Sequence, residues 1–114
     1  MAAKNRALQV NELIKRELGS IILKKIEFPK GVLFTITRVE TSSNLVHSKI
    51  YISVIPEDQT PKVIQILNQK IFIIQQDINR RFKMRPVPKI KFTEDKKAKK
   101  VNKVEELLER IKKN

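Results

Sequence analysis

The sequence GVLFTITRVETSSNLVHSKIYISVIP, residues 31–56, decides the fold of this chain. In residues 32–39 and 47–55, β-branched and aromatic residues alternate with polar ones, which predicts two half-buried strands. The residues between them, TSSN at 41–44, have the chemistry of a turn. A two-stranded ribbon is marginal alone in water, so this hairpin needs a third strand or covering helices.

The alternation assigns the hairpin side chains to two faces. In the first strand, Val32, Phe34 and Ile36 fall on one side, with Leu33, Thr35 and Thr37 on the other. In the second strand, the apolar side consists of Ile50, Ile52 and Val54. One face of the sheet is therefore expected to be covered and the other solvated.

Helical patterns flank the hairpin on both sides. Before it, apolar residues recur at three- and four-residue steps over residues 5–25, which predicts an amphipathic helix. Gly19 falls inside that pattern, and we expect it to allow close packing on the sheet. After the hairpin, the helical period holds for about six turns, starting at Thr60, whose hydroxyl we expect to cap the helix before Pro61. The apolar residues IFII at 71–74 spread too far around the helix surface to form one stripe. We therefore predict a break within residues 70–73, and hence two helices.

A third strand and a charged tail complete the predicted order. The short alternating segment KIKF at 89–92 follows two prolines, and the two-helix crossover allows it to lie parallel to the second strand. The order α-β-β-α-α-β, with a three-stranded mixed sheet, is an α+β two-layer domain. We assign residues 1–93 to this domain and residues 94–114 to a basic C-terminal tail with a short helix. The apolar stripe of that helix is Val101, Val104, Leu107, Leu108 and Ile111.

The charge of the chain points to a polyanionic partner. Its 114 residues contain 25 Lys and Arg against 12 Asp and Glu, a formal charge of +13. Such a surplus on a small domain is typical of nucleic-acid binders. An anionic membrane surface is the second candidate, but the chain has no basic amphipathic helix with aromatic anchors and no apolar run of membrane-spanning length.

Most of the surplus lies within residues 79–103, which hold eleven Lys or Arg against Glu94 and Asp95, or +9 of the total +13. The alternative interpretation is that these cations favour solubility and interact with a helix dipole. For the lysine run after Asp95, a solvated segment is the corresponding alternative. We predict that Arg80, Arg81, Lys83 and Arg85 make the main contacts to nucleic-acid phosphates. The additional candidates are Lys89, Lys91, Lys96, Lys97, Lys99 and Lys100, with Arg38 and Lys49 on the hairpin ranked below them.

Catalysis finds no support in the sequence. Cysteine is absent, which excludes thiolate zinc sites, disulfides and thiol catalysis. His47 is the only histidine, and no nucleophile–base pair, metal-ligand cluster or phosphate-binding glycine loop is present. We therefore expect no enzymatic activity and no cofactor. The N-terminal segment lacks the apolar core of a secretion signal, so we expect a cytoplasmic protein.

Several further motifs follow the hairpin pattern in order. VNELIKREL occupies residues 10–18, LN residues 67–68, RR residues 80–81, MRPVP residues 84–88 and VEELL residues 104–108. This succession resembles the bacterial ribosome-binding factor A family. The resemblance implies a K-homology-like fold of the second type. It also implies a non-catalytic, monomeric assembly factor that binds the small ribosomal subunit and its rRNA during late maturation and 5′-end processing, with a part in cold adaptation.

The chain departs from the family at two places. Where members usually have Ala-x-Gly between the central helices, it has Lys70, Ile71 and Phe72. Before the last helix, the usual Gly and Arg-Ile are replaced by Val101, Lys103 and Val104. The nucleotide-clamping GXXG loop of ordinary K-homology domains cannot form, since the glycines are Gly19 and Gly31 alone. Two alternatives stay open: a general basic nucleic-acid-binding module not dedicated to the ribosome, and a protein–protein adaptor using the C-terminal stripe.

Overall fold

A computed structural model describes residues 2–97 of the chain, with side chains from residue 6 onward. The helical elements and strands, in order, are α1 (Ala2–Lys25), β1 (Leu33–Thr41), β2 (His47–Ile55), a 3₁₀ turn (Glu57–Gln59), α2 (Thr60–Gln69), α3 (Ile71–Arg81) and β3 (Lys89–Glu94). The predicted order α-β-β-α-α-β is confirmed. The predicted C-terminal helix lies outside the described residues.

The three strands form one mixed sheet in the order β1-β2-β3. β1 pairs antiparallel with β2, while β3 lies parallel to β2, as the crossover predicted. The turn between β1 and β2 depends on its polar side chains. The backbone N–H of Val46 donates to Oγ of Ser42 and to Oδ1 of Asn44, both at 3.2 Å. Leu45 adopts a positive φ of 60°, and its N–H donates to the Ser42 carbonyl at 2.8 Å.

A β-bulge at Thr37 shifts the alternation of β1. Ile36 pairs with Ile52, but Arg38 pairs with Tyr51, so Thr37 is the extra residue. The strict alternation predicted for this strand is therefore wrong beyond Ile36. The bulge has a physical reason, because the Thr37 hydroxyl donates to Oδ2 of Asp95 over 2.6 Å. That contact joins β1 to the chain directly after β3.

The core lies between the three helices and one face of the sheet. α1 packs on β1 and α3, and α2 packs against β2 and β3. Burying each isoleucine or leucine there stabilises the fold by about 1.5 to 3 kcal/mol. The residues with no exposed surface come from α1, β2, α2 and α3: Ile14, Leu18, Ile21, Ile50, Ile52, Val63, Leu67, Ile74 and Ile78.

The predicted break between α2 and α3 is confirmed at Lys70, which has φ −102° and ψ 6°. Any L-residue can adopt these angles, so the turn forms without glycine. The Lys70 N–H donates to the carbonyls of Ile66 and Leu67, both at 3.2 Å, and its own carbonyl accepts from Ile74 at 3.0 Å. The break thus keeps its backbone hydrogen bonds while redirecting the chain.

Two local expectations are wrong. Thr60 is itself helical and its hydroxyl donates to the Glu57 carbonyl at 2.7 Å, because a 3₁₀ turn leads directly into α2. Gly19 is exposed, and a Cβ there would meet no atom within 4 Å apart from its chain neighbours and its own helix backbone, so it does not pack closely on the sheet. The buried positions of α1 nearby are Leu18 and Ile22.

A carboxylate on α3 ties this helix to the end of α1. Asp77 is buried, and its oxygens lie 2.6 Å from Nζ of Lys25 and 3.0 Å from Nη2 of Arg80. The Lys25 ammonium lowers the pKa of Asp77, and burial opposes this effect only in part. Because the folded-state pKa is depressed, the ion pairs stabilise the fold above the unfolded-state pKa, near 3.8. The contribution is lost as the pH falls through the folded-state pKa.

We therefore expect Asp77→Asn to lower the free energy of unfolding by about 1 kcal/mol at neutral pH, since water screens the half-exposed Lys25. The difference from the wild type should vanish once the pH lies below the folded-state pKa. Urea unfolding over a pH series measures both effects. Asp58→Asn, which changes an exposed acid without an ion pair among the described residues, is the control. An equal loss of unfolding free energy at neutral and acid pH contradicts this account.

Candidate nucleic-acid interface

The starts of β2 and β3 bring four basic side chains together on the open face of the sheet. In the parallel register, Lys49 lies beside Lys91, and His47 lies beside Lys89. All four are exposed. The sequence predicted the three lysines as separate candidates, whereas the structure places them on adjacent strands.

A cleft of about 500 Å³ lies at this end of the sheet, beside the break between α2 and α3. Ile71 and Ile90 contribute apolar surface to its lining. We call it the lysine cleft, and its lining residues are His47, Ser48, Lys49, Asn68, Ile71, Lys89, Ile90 and Lys91. A cleft lined by cationic, amide and apolar groups suits a sugar–phosphate chain.

Gln75 on α3 positions the start of β3 and hence the lysines. Its amide nitrogen donates to the Pro88 carbonyl at 3.1 Å, and its amide oxygen accepts from the Ile90 N–H at 2.9 Å. On the other side, the Lys89 N–H donates to the Val46 carbonyl at 2.9 Å. Sequence reasoning missed Gln75, because a glutamine within a helical pattern carries no signal of a long-range backbone contact. Asn68, which belongs to the LN motif at 67–68, was not predicted as a site residue, because the motif does not show that it lines a cleft.

The charge of the lysine cleft is not neutralised within the described part of the chain. The acid across from Lys49 on β1 is Glu40. Glu40 instead contacts the Arg38 guanidinium, and its other oxygen accepts from the Tyr51 hydroxyl at 3.1 Å. Among the residues that the structure describes, Lys49, Lys89 and Lys91 form no ion pair. Their positive charge is thus directed to solvent.

Arg38 is already engaged by the protein. Its guanidinium carbon lies 3.7 Å from the centroid of the Tyr51 ring, and its Nε lies 3.6 Å from Oδ2 of Asp95. Burial and the neighbouring Glu40 carboxylate raise the pKa of the Tyr51 phenol, which therefore stays protonated. Of the predicted phosphate-contacting residues on the sheet, Arg38 has the most extensive contacts to its own fold.

The basic residues at the end of α3 divide into two pairs. Arg80 contacts Asp77 at 3.0 Å and Arg81 contacts Glu17 on α1 at 2.8 Å, yet the Arg80 side chain stays 69% exposed. Lys83 is exposed, and Nη1 of Arg85 donates to the carbonyls of Phe82 and Met84, both at 2.7 Å. This segment leads directly into Lys89, so it extends the basic surface from the end of α3 to the lysine cleft.

The predicted tail cations are only partly within the described chain. Lys96 and Lys97 are exposed after β3, and the Lys97 N–H donates to Oδ1 of Asp95 at 3.0 Å. Lys99 and Lys100 lie outside the described residues. Within residues 6–97, no group of three or more acids or histidines could hold a metal ion. No helix in the described part is long and apolar enough to cross a membrane.

The fold and the basic cleft define a class: small α+β two-layer domains with a cationic surface. Comparison with known proteins gives the family. The sequence model for ribosome-binding factor A matches residues 6–108, nearly the whole chain. The chain therefore belongs to the ribosome-binding factor A family, as the motif succession predicted.

Relatives and solved structures agree with this assignment. Ribosome-binding factor A of Akkermansia muciniphila is 34% identical over 109 residues, covering 96% of this chain and 86% of that protein. The protein of the same description from Thermodesulfovibrio yellowstonii is 32% identical over 113 residues, covering 99% and 96%. The crystal structure of ribosome-binding factor A from Thermus thermophilus matches with a TM-score of 0.68 at 22% identity, over 77% of this chain and 93% of that one.

A second structure from Thermus thermophilus is a homology model of ribosome-binding factor A fitted into the cryo-EM map of a 30S complex. It matches with a TM-score of 0.62 at 22% identity, covering 73% of this chain and 88% of that one. These structural matches confirm the K-homology-like fold that the resemblance implied.

The register that places Lys49 beside Lys91 gives a prediction for the stability of the free protein. Like charges on adjacent strands repel, so Lys91→Gln should raise the free energy of unfolding by about 0.5 kcal/mol at low ionic strength. The gain should disappear in about 1 M salt, where the Debye length is about 3 Å. Urea unfolding at both ionic strengths measures the effect. Lys62→Gln, on the exposed side of α2, makes the same charge change outside the cleft, and an equal gain there contradicts the prediction.

Proposed function

We propose that this protein binds rRNA phosphates of the small ribosomal subunit through the lysine cleft and acts without catalysis. The observation that carries the proposal is the parallel register of Lys49 and Lys91, two like charges on adjacent strands without an ion pair in the described chain. Such an arrangement disfavours the free protein and is relieved by a polyanion. The Thermus thermophilus relative in a 30S complex supports the choice of polyanion.

The surface around the cleft offers more than charge. Asn68 can donate or accept a hydrogen bond, and Ile71 and Ile90 line the same cleft as the lysines. Lys83 and Arg85 continue the basic surface along the segment before β3. Arg80 and Arg81 are held by carboxylates, so their guanidinium groups contribute less net charge to an incoming phosphate. We therefore assign the principal phosphate contacts to Lys49, Lys89 and Lys91, and the peripheral contacts to the other basic residues.

Binding at a rigid two-layer domain acts by favouring one arrangement of the rRNA over others, which is a population shift. In this proposal the ligand is the immature subunit, during late maturation and processing of the rRNA 5′ end, in the cytoplasm. Membership of the ribosome-binding factor A family supports the ribosome as the partner. The protein acts as a monomer, with residues 1–93 as the binding domain and residues 94–114 as a basic tail.

The test is a charge-removal series measured by co-sedimentation with purified small subunits at several salt concentrations. The triple variant Lys49→Gln, Lys89→Gln, Lys91→Gln should bind more weakly. Its log–log salt slope should be flatter by about 2 to 3, since each lost phosphate contact removes about 0.7 to 0.9. The matched control removes three exposed lysines elsewhere: Lys24→Gln, Lys30→Gln and Lys62→Gln.

Two outcomes contradict the proposal. If the control variant loses as much affinity and slope as the cleft variant, binding depends on net charge and not on the cleft. If the wild type binds duplex DNA or mature ribosomes as tightly as immature small subunits, the general basic nucleic-acid-binding module is the better description. A further variant with Arg80, Arg81, Lys83 and Arg85 changed to Gln compares the contribution of the end of α3 to binding with that of the lysine cleft.

A further inference from the structure

One aromatic side chain is exposed at the turn between α2 and α3. Phe72 is the second residue of α3, and 71% of its surface is exposed. The other aromatic residues of the chain are buried or half-buried. Phe72 lies outside the hydrophobic core of the described residues, and the turn at Lys70 has angles that any L-residue can adopt. The fold therefore does not require a ring at this position.

The helical neighbours of Phe72 place it at the border of the lysine cleft. Ile71, the residue before it, lines the cleft, and neighbouring Cα atoms are about 3.8 Å apart. Gln75 is three residues later and so adjacent on the helix surface. The Gln75 amide oxygen accepts from the N–H of Ile90, which also lines the cleft. Phe72 is thus flanked on α3 by two residues that line the cleft or contact its lining.

Ile73, the next exposed apolar residue, points away from this border. With 3.6 residues per turn, Phe72 is about 60° from Gln75 around the helix, whereas Ile73 is about 160° from it. Ile73 is 43% exposed, so both side chains meet solvent. The pair supplies an internal comparison, because only Phe72 lies on the side of the helix that contacts the cleft.

The surroundings of Phe72 are cationic. Lys70 is exposed on the turn before it, and the three lysines of the cleft form no ion pair among the described residues. Within residues 60–93 of the sequence the one acid is Asp77, which is buried and paired with Lys25. An exposed ring beside uncompensated cations suits a ligand that is both anionic and aromatic.

A nucleotide combines these two properties. Unpaired bases stack on aromatic side chains of RNA-binding proteins, while cationic groups beside the ring hold the backbone. We propose that Phe72 stacks on an unpaired base of an RNA strand whose phosphates lie in the lysine cleft. This inference rests on the proposed function and specifies its ligand as single-stranded RNA, because the bases of a duplex already stack on each other. The ring stands at a place where this chain departs from its family.

Binding of a single-stranded oligoadenylate and of polyphosphate by the full-length chain tests the proposal. Polyphosphate carries the charge of a nucleic-acid backbone without bases. Phe72→Leu keeps an apolar side chain but removes the ring, so oligoadenylate binding should weaken about fivefold or more while polyphosphate binding stays unchanged. The salt slope for oligoadenylate should also stay unchanged, since no phosphate contact is lost. Phe72→Tyr keeps a stacking ring and should bind oligoadenylate nearly as tightly as the wild type.

Three outcomes overturn the proposal. Phe72→Leu may retain wild-type affinity for oligoadenylate, or it may lose the same affinity for polyphosphate, which indicates an effect on charge or fold. Phe72→Tyr may bind as weakly as Phe72→Leu, which excludes stacking. Failure of the proposed function gives a different result: the triple lysine variant then keeps the wild-type affinity and salt slope for oligoadenylate. In that case the strand does not lie in the cleft, and both proposals fall.

Fluorescence gives a second readout, because the chain contains no tryptophan. In Phe72→Trp, oligoadenylate should quench the fluorescence of the introduced indole through stacking, whereas polyphosphate should not. The matched control Ile73→Trp places the indole on the other side of the same helical turn, so oligoadenylate should leave its fluorescence unchanged. Equal quenching in the two variants overturns the proposal.

Discussion

The parallel pairing of β3 with β2 is the constraint on which the rest of this structure depends. Parallel neighbours need a long crossover, and α2 and α3 supply it while covering the core face of the sheet. The chain turns at Lys70, which divides this crossover into two helices. The same pairing sets the lysines of β3 beside those of β2. Fold and candidate interface thus share one cause.

Stability and binding make opposite demands on this sheet. On the core face, Ile50 and Ile52 are fully buried, whereas the open face carries Lys49 and Lys91 side by side at one end. Some charges elsewhere are paired, as in the Asp77–Lys25 pair and the contact between Arg81 and Glu17, whereas exposed lysines such as Lys24 and Lys62 have no ion pair among the described residues. Like charges on adjacent strands lower the stability of the free protein and favour a bound polyanion. The pairing of Lys49 with Lys91 therefore distinguishes the lysine cleft from the basic surface in general.

The sequence was sufficient for the features that depend on periodicity. Alternation identified the hairpin, helical spacing identified α1 and the α2–α3 pair, and the crossover allowed the parallel third strand. The Thr37 bulge could not be predicted, because its cause is Asp95, 58 residues away in the chain. Strand register also carries no local signal, so the pairing of Lys49 with Lys91 required the structure.

The charged candidates show the same limit. The density of Lys and Arg in the sequence identified residues 79–103 as the basic region. This density does not reveal which of the cations form contacts within the protein itself. Arg38 stacks on Tyr51 and Arg81 pairs with Glu17, and both partners lie elsewhere in the chain. Gly19 was misjudged because a glycine in an amphipathic pattern does not indicate which face of the helix it occupies. Such assignments depend on tertiary contacts.

Lysine reactivity is the most direct test of the central claim, that the lysine cleft faces the ribosomal subunit. Each lysine of the full-length protein is acetylated in trace amounts, free and in complex with small subunits, and the rates are compared by mass spectrometry. The account predicts that Lys49, Lys89 and Lys91 lose most of their reactivity in the complex, while Lys24 and Lys62 keep theirs. Protection of Lys24 and Lys62, with the cleft lysines reacting at their free rates, would contradict it.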